Sequence, residues 1–195
     1  SFLAIIAVYL AATTLYSCWL KRVVIADVLM LASFYTLRIV AGGVAADVEV
    51  SEWLLAFAMF LFTSLAFSKR HAELTRLSGE QPESTDRPAA GRGYRVRDLG
   101  IIEVLGPAAG YLSVLVFTLY INREGIDQLY TYTWPLWTIT LLLMYWISRL
   151  WLLARRGELE EDPVVFAVTD PVSLLVGLLV ASLAVVAAAP WVVSG

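Results

Sequence analysis

The length of the apolar runs constrains this chain most, because each comes close to the ~20 residues that a helix needs to cross ~30 Å of hydrocarbon. Hydrophobic residues make up 59% of the sequence and charged residues 16%, which is more apolar than a soluble domain can bury. Short strand-like alternation is absent, which argues against a membrane barrel. The sequence therefore predicts an all-α, polytopic transmembrane helix bundle. Six spans are predicted, at residues 2–20, 23–46, 53–68, 99–121, 134–154 and 172–191. The third span is short and is expected to continue into "KRHAEL" as a helix that projects beyond the bilayer.

Basic residues occupy alternate connections between these spans, and loops rich in Lys and Arg remain in the cytoplasm. The opposite connections hold only Arg123. We therefore expect a multi-pass protein of a bacterial inner membrane whose basic face, including a polar loop at residues 74–97, is cytoplasmic. The basic connections contain Lys21, Arg22, Lys69, Arg70, Arg76, Arg87, Arg92, Arg95, Arg97, Arg155 and Arg156.

This orientation places Ser1 outside the cell, although no initiator Met or basic flank precedes it. An odd number of helices upstream would resolve the conflict. We expect residues 1–195 to form a single transmembrane domain that lacks its N-terminal helices. The alternative is a complete six-helix protein with both ends outside.

Asp27, Arg38 and Arg149 are charged residues inside predicted spans, where each charge costs at least ~2.5 kcal/mol and usually faces a protein interior or a wet cavity. Asp27 and Arg38 are eleven positions apart, about three helical turns, and share a face with Tyr35. That face is predicted to point into a cavity, although Arg38 could instead be a purely structural arginine. The position of Arg149 fits snorkelling to the interface and ligand contact equally well.

A cluster of mixed charge follows the third span in the segment "SKRHAEL". Together with Lys21, the cations Lys69 and Arg70 suit phosphate or pyrophosphate, which Lys and Arg bind through charge-assisted hydrogen bonds. The simpler alternative is contact with anionic lipid headgroups. His71 has no nucleophile nearby and is expected to pack, and Glu73 alone offers too few ligands for Mg²⁺.

The segment "YSCWLKRVVIADVLMLASFYTLRIVAGGVA" resembles UbiA-type intramembrane prenyltransferases, whose Tyr-Ser and Leu-Lys signature occurs as Tyr16, Ser17, Leu20 and Lys21. The segments "SKRHAEL", "RGYRVRDL" and "YWISRLWLLARRGELEEDPVVFAVTD" extend the resemblance to the decaprenyl-phosphate phosphoribosyltransferase branch. The resemblance covers almost the whole chain, and the order of the motifs is more persuasive than any one of them.

The resemblance implies a nine-helix fold in which these six spans are the fourth to the ninth. It also implies that two Asp-rich motifs hold Mg²⁺ and a diphosphate. The first motif would lie upstream of Ser1, so the chain alone is expected to be inactive. At the second, Lys69 stands where an acid is expected and Glu73 is the surviving carboxylate and candidate metal ligand. An exchange of acid for Lys replaces a metal ligand by a direct phosphate ligand.

The implied reaction moves a phosphoribosyl group from phosphoribosyl pyrophosphate to a polyprenyl phosphate. It needs no nucleophilic side chain, so no catalytic residue is assigned, and no nucleic-acid partner is expected. The alternatives are a UbiA-type aromatic prenyltransferase, a transporter or channel, and a non-catalytic membrane subunit. Substrate contacts are expected from Tyr16, Lys21, Asp27, Arg38, Lys69, Arg70 and Arg149.

Overall fold

The computed structural model describes residues 13–14, 16, 20–80, 93–159 and 162–189. Short 3-10 turns at Leu20–Arg22 and Val96–Asp98 precede α1 and α3. The helices are α1 (Ala26–Ala46), α2 (Glu52–Glu80), α3 (Leu99–Ile121), α4 (Ile126–Leu129), α5 (Trp134–Arg155), α6 (Pro163–Thr169) and α7 (Pro171–Ala188).

The all-α class predicted from the sequence is confirmed, because five of these helices are long and apolar enough to cross a membrane: α1, α2, α3, α5 and α7. By length and composition, the chain is a multi-pass membrane protein. The predicted first span, residues 2–20, lies almost entirely outside the described residues. In the described parts of the chain, each long helix packs against the next long helix in sequence, so α2 lies between α1 and α3, and α5 between α3 and α7.

Helix α2 is longer than the hydropathy pattern indicates. The helix continues through "KRHAEL" to Glu80, so its end extends into residues 74–97, which the sequence assigns to a cytoplasmic polar loop. Leu74 is 1% exposed and Leu77 packs against the same core, so an apolar stripe continues past the charged residues. Burial of that stripe keeps the polar end of α2 helical. Residues 81–92 of the predicted loop lie outside the described part of the chain.

Helices α2, α3 and α5 meet at a contact that only glycine permits. A β-carbon on Gly106 would lie 2.0 Å from Cζ2 of Trp151. The Trp151 indole donates to Ser64 Oγ over 3.0 Å, and that hydroxyl donates to the Gly106 carbonyl over 2.7 Å. Every polar group brought into this apolar contact is therefore paired.

Two Asp-Pro pairs begin the last two helices. Asp162 accepts from the Val164 amide at the start of α6, and Asp170 accepts from the Ser173 amide at the start of α7. Each Pro occupies the first helical turn, where its missing N–H removes no helical hydrogen bond. Helix α6 lies in the connection between the predicted spans 134–154 and 172–191, and it brings Asp162 against α2.

We expect Gly106→Ala to lower the free energy of unfolding by about 1–3 kcal/mol, because the new methyl group overlaps the rigid Trp151 ring. Thermal unfolding in detergent measures the loss. Gly177→Ala is the matched control, since nothing lies within 4 Å of a β-carbon there. Equal stability of the two variants would contradict the assigned helix contact.

Candidate functional site

A buried guanidinium forms the centre of the charged cluster. Arg70 is 1% exposed, and its Nε lies 2.6 Å from Asp27 Oδ2 on α1. Its Nη1 donates to Glu73 Oε2 over 2.5 Å, one turn further along α2. A cation in such surroundings is tolerated only when it is paired. Arg70 thus links α1 to the end of α2 that carries the predicted site.

Asp27 is itself completely buried, and Tyr16 completes its environment. The Tyr16 hydroxyl donates to Asp27 Oδ1 over 2.5 Å, so the two carboxylate oxygens contact different partners. Of the residues predicted to contact substrate, Tyr16, Asp27 and Arg70 therefore form one connected network with Glu73.

The next cation along α2 faces a cavity rather than the core. Lys69 Nζ donates to Asp162 at the start of α6, and the side chains are 38% and 29% exposed. Burial would raise the pKa of Asp162, but hydrogen bonds from Lys69 and the Val164 amide outweigh burial and lower that pKa. A cavity of about 600 Å³ lies here, and its charged lining residues are Lys69, Glu73, Arg76 and Asp162.

Tyr94, in the segment before α3, contacts the turn that leads into α1. Tyr94 is 1% exposed, and its hydroxyl accepts the Ile25 amide over 2.8 Å. Ile25 has a φ of 68°, a left-handed conformation that a β-branched residue rarely adopts. Burial raises the pKa of Tyr94, so the hydroxyl stays neutral. Tyr94 therefore stabilises the strained turn that leads Lys21 and Arg22 into α1.

His71 packs between helices, as expected from the sequence. It is 2% exposed, its Nε2 lies 3.1 Å from Glu103 Oε1 on α3, and its ring meets Trp151 edge to face. These contacts bind α2, α3 and α5 together next to the cavity.

The structure places the remaining predicted site residues elsewhere. Arg149 donates to both carboxylate oxygens of Asp170 over 2.7 and 3.0 Å. Arg38 is exposed, with Cζ 4.8 Å from the Tyr35 ring centroid, and its Cα lies about 16 Å along α1 from that of Asp27. Lys21 is half-buried in the turn before α1. None of the three lines the polar cavity, and their contacts with substrate stay predictions.

The carboxylates of the site do not by themselves fit a magnesium ion. Among the described residues, no group of three or more His, Cys, Asp or Glu side chains could hold a metal. Glu73 contacts Arg70 and Asp162 contacts Lys69, so each carboxylate is already neutralised by a cation. Either carboxylate would need further oxygen ligands to hold Mg²⁺.

Sequence reasoning missed Asp162, Tyr94 and Glu103. Asp162 precedes a proline, and an Asp-Pro pair is typical of the start of a helix. That signal could have located α6, but not its contact with Lys69, 93 positions away. Glu103 is a charge inside the predicted span 99–121, the same signal that selects Asp27, whereas no local signal identifies Tyr94.

We expect Arg70→Met to lower the free energy of unfolding by about 3–5 kcal/mol, because Asp27 is left as an unpaired buried charge. Combining it with Asp27→Asn should recover much of the loss. Chemical unfolding followed by tryptophan fluorescence measures both. Arg76→Met, at an exposed site on the same helix, should change stability by less than about 0.5 kcal/mol. A double variant no more stable than Arg70→Met would refute this role of the pair.

We also expect the Lys69–Asp162 contact to weaken in acid. Because the folded pKa of Asp162 is lowered, its stabilisation is complete above the unfolded value of about 4 and disappears as the pH falls through the folded value. Asp162→Asn retains a side chain that can cap α6 but lacks the charge. The difference in melting temperature between wild type and this variant should shrink below about pH 4. A difference that is constant with pH would count against the ion pair.

No family model matches the chain, but curated proteins do. An uncharacterized protein, y4nM, of Sinorhizobium fredii is 37% identical over 187 residues, which cover 95% of this chain and 36% of that protein. The nodulation protein NoeC of Azorhizobium caulinodans is 33% identical over 172 residues, 88% of this chain and 55% of NoeC. The chain thus spans between a third and just over half of these two relatives.

A shorter similarity connects the chain with enzymes of named activity. The decaprenyl-phosphate phosphoribosyltransferase of Mycolicibacterium smegmatis is 39% identical over 70 residues, which make up 36% of this chain and 22% of the enzyme. The enzyme of the same name from Corynebacterium glutamicum is also 39% identical over 70 residues. Together with the apolar helices, these partial similarities fit a UbiA-like membrane superfamily and suggest a transferase.

Proposed function

We propose that this protein contributes to a membrane transferase that moves a phosphoribosyl group from phosphoribosyl pyrophosphate to a polyprenyl phosphate. A phosphate oxygen of the lipid attacks the anomeric carbon, the bond from that carbon to the pyrophosphate oxygen breaks, and pyrophosphate leaves with the electron pair. The partial similarity to decaprenyl-phosphate phosphoribosyltransferases supports this substrate pair.

The observation that carries the proposal is Lys69 at the polar cavity. Its ammonium is partly exposed and lies beside about 600 Å³ of open space, within the roughly 300–1,000 Å³ typical of small-molecule sites. Arg76 lines the same cavity. These cations are suited to phosphate oxygens, and stabilisation of developing negative charge on the leaving pyrophosphate is the main catalytic contribution expected of them.

Arg70 takes a different role from the direct phosphate contact expected from the sequence. Its guanidinium is sealed between Asp27 and Glu73, so we assign it to positioning: it fixes Glu73 at the cavity and the direction of α2. Glu73 is 31% exposed and can accept a hydrogen bond from a sugar hydroxyl in the cavity. Tyr16 acts through Asp27 in the same network.

The charge balance of the cavity determines how an anion can bind. Two cations and two carboxylates line it, so it has no net positive charge. A pyrophosphate group therefore needs either an added cation or release of Lys69 from Asp162. A requirement for Mg²⁺ is part of the proposal and comes from the family resemblance; its ligands would have to come mainly from outside the described residues. The contacts of Lys69 and Arg76 do not depend on it.

The proposed cavity faces the cytoplasm of a bacterium, because it lies at the end of the bundle where Lys69, Arg70, Arg155 and Arg156 are gathered. A phosphorylated sugar donor would reach it from that side. The acceptor lipid would enter from the bilayer, with its tail along apolar helix faces.

We expect Lys69→Met to raise the KM for phosphoribosyl pyrophosphate by about 10–100-fold, through loss of one charge-assisted hydrogen bond. The measurement is transfer of labelled phosphoribosyl to polyprenyl phosphate in detergent by the purified full-length protein, including the upstream helices that the family resemblance implies. Asp162→Asn releases Lys69 and should leave that KM unchanged or lower it. Arg123→Gln, at the other end of α3, is the control and should not change it.

Two results would contradict the proposal. An unchanged KM in Lys69→Met would remove Lys69 from the donor site. Turnover of 4-hydroxybenzoate with a prenyl diphosphate, without turnover of the phosphoribosyl pair, would favour an aromatic prenyltransferase instead.

A further inference from the structure

A second cavity, of about 470 Å³, lies between α2, α3, α5 and α7 and is almost entirely apolar. Aromatic side chains form much of its wall, including Trp53 and Phe57 from α2, Phe117 and Tyr120 from α3, and Tyr130 from the connection that follows. A space of this size accommodates part of one acyl chain, and an apolar site of this kind has few polar groups to hold water.

This cavity is separate from the polar one. Phe57 lines the apolar cavity and Lys69 the polar cavity, and these residues lie twelve positions apart on α2. Twelve helical residues span about 18 Å. None of the described residues lines both cavities. The apolar cavity therefore belongs to the half of the bundle near the connection from Asn122 to Thr133.

A cation lies at the edge of the apolar cavity. The Arg123 Cζ sits 4.9 Å from the ring centroid of Tyr120, which is a wall residue, and Arg123 Nε is buried without a hydrogen-bond partner among the described residues. Glu124 and Asp127 on the same connection are exposed, and the ion pairs of the described residues include none between Arg123 and either of them. A buried donor without a partner is unfavourable, and an acceptor at this position would remove that cost.

The rim of the cavity has the chemistry of a membrane interface. The Tyr120 and Tyr130 hydroxyls are 3.1 Å apart, and Trp53 lies against Tyr120 with ring centroids separated by 6.5 Å. Tyr and Trp prefer the level of lipid headgroups, where one end of the ring is apolar and the other is hydrated. An occupant with a long apolar chain and an anionic head matches the interior, the rim and Arg123 together.

We propose that this cavity binds one acyl chain of an anionic membrane phospholipid whose phosphate contacts Arg123. The site lies on the side of the membrane opposite to the polar cavity. It does not depend on the proposed transferase activity, because Lys69 and its partners take no part in it.

The test uses the purified protein in nanodiscs of equal parts phosphatidylglycerol and phosphatidylcholine with identical acyl chains. Native mass spectrometry then counts the lipids that remain bound after the protein is released from the nanodiscs. We expect wild type to retain phosphatidylglycerol preferentially. Arg123→Gln should reduce that preference about tenfold, as expected for one charge-assisted hydrogen bond, and Arg123→Lys should restore part of it.

Two further variants distinguish lipid bound in this cavity from lipid bound elsewhere on the bundle. Arg156→Gln removes an exposed arginine at the opposite end of the bundle and should keep the preference of wild type. Ala184→Phe fills the cavity and should release both lipids, with the melting temperature reporting whether the variant folds. Full retention of phosphatidylglycerol by Arg123→Gln would overturn the proposal. Polyprenyl phosphate that co-purifies with the protein would also overturn the proposal if it were lost from Lys69→Met and kept by Arg123→Gln. The cavity would then hold the tail of the acceptor lipid.

Discussion

The buried guanidinium of Arg70 is the constraint on which the arrangement of the site depends. An isolated charge in the core of a membrane bundle is too costly to keep, so α1 has to present Asp27 and α2 has to present Glu73 at the same place. Adjacent residues on a helix point about 100° apart. With Arg70 fixed inward, Lys69 is directed to the neighbouring cavity. One ion-pair network thus determines both the packing of α1 on α2 and the placement of the exposed cation.

Hydropathy predicted the fold well where burial in lipid decides the structure. Helix α3 runs over Leu99–Ile121, the span expected from the sequence, because its apolar run is bounded by polar residues at both ends. Hydropathy alone does not locate the end of α2, where protein contacts replace lipid contacts. Leu74 is buried against the core. A single apolar stripe does not raise the mean hydropathy of a window whose other residues are polar, so hydropathy does not detect it.

The site was only half predictable, for a related reason. Charges in an apolar chain are conspicuous, so Lys69, Arg70, Asp27 and Glu73 could be selected from the sequence. Their pairing could not, because Asp27 is 43 positions from Arg70 and Asp162 is 93 positions from Lys69. Such partners are fixed by tertiary packing. The same holds for Arg149: its charge is evident in the sequence, whereas its partner Asp170 is identified only by the structure.

The difference in burial between the two ion pairs is what would let the proposed donor site, which has no net positive charge, receive an anion. Breaking a buried pair costs about 3–5 kcal/mol, so Arg70 would stay with Asp27 if the proposed donor bound. A solvent-exposed pair contributes about 0–1 kcal/mol, and the contact of Lys69 with Asp162 is nearer to that limit because both side chains are partly exposed. A phosphate oxygen can therefore replace Asp162 at Lys69 at little cost. The buried pair of Arg70 and Asp27 maintains the geometry of the cavity. The partly exposed pair of Lys69 and Asp162 is the one in which Lys69 can exchange its partner.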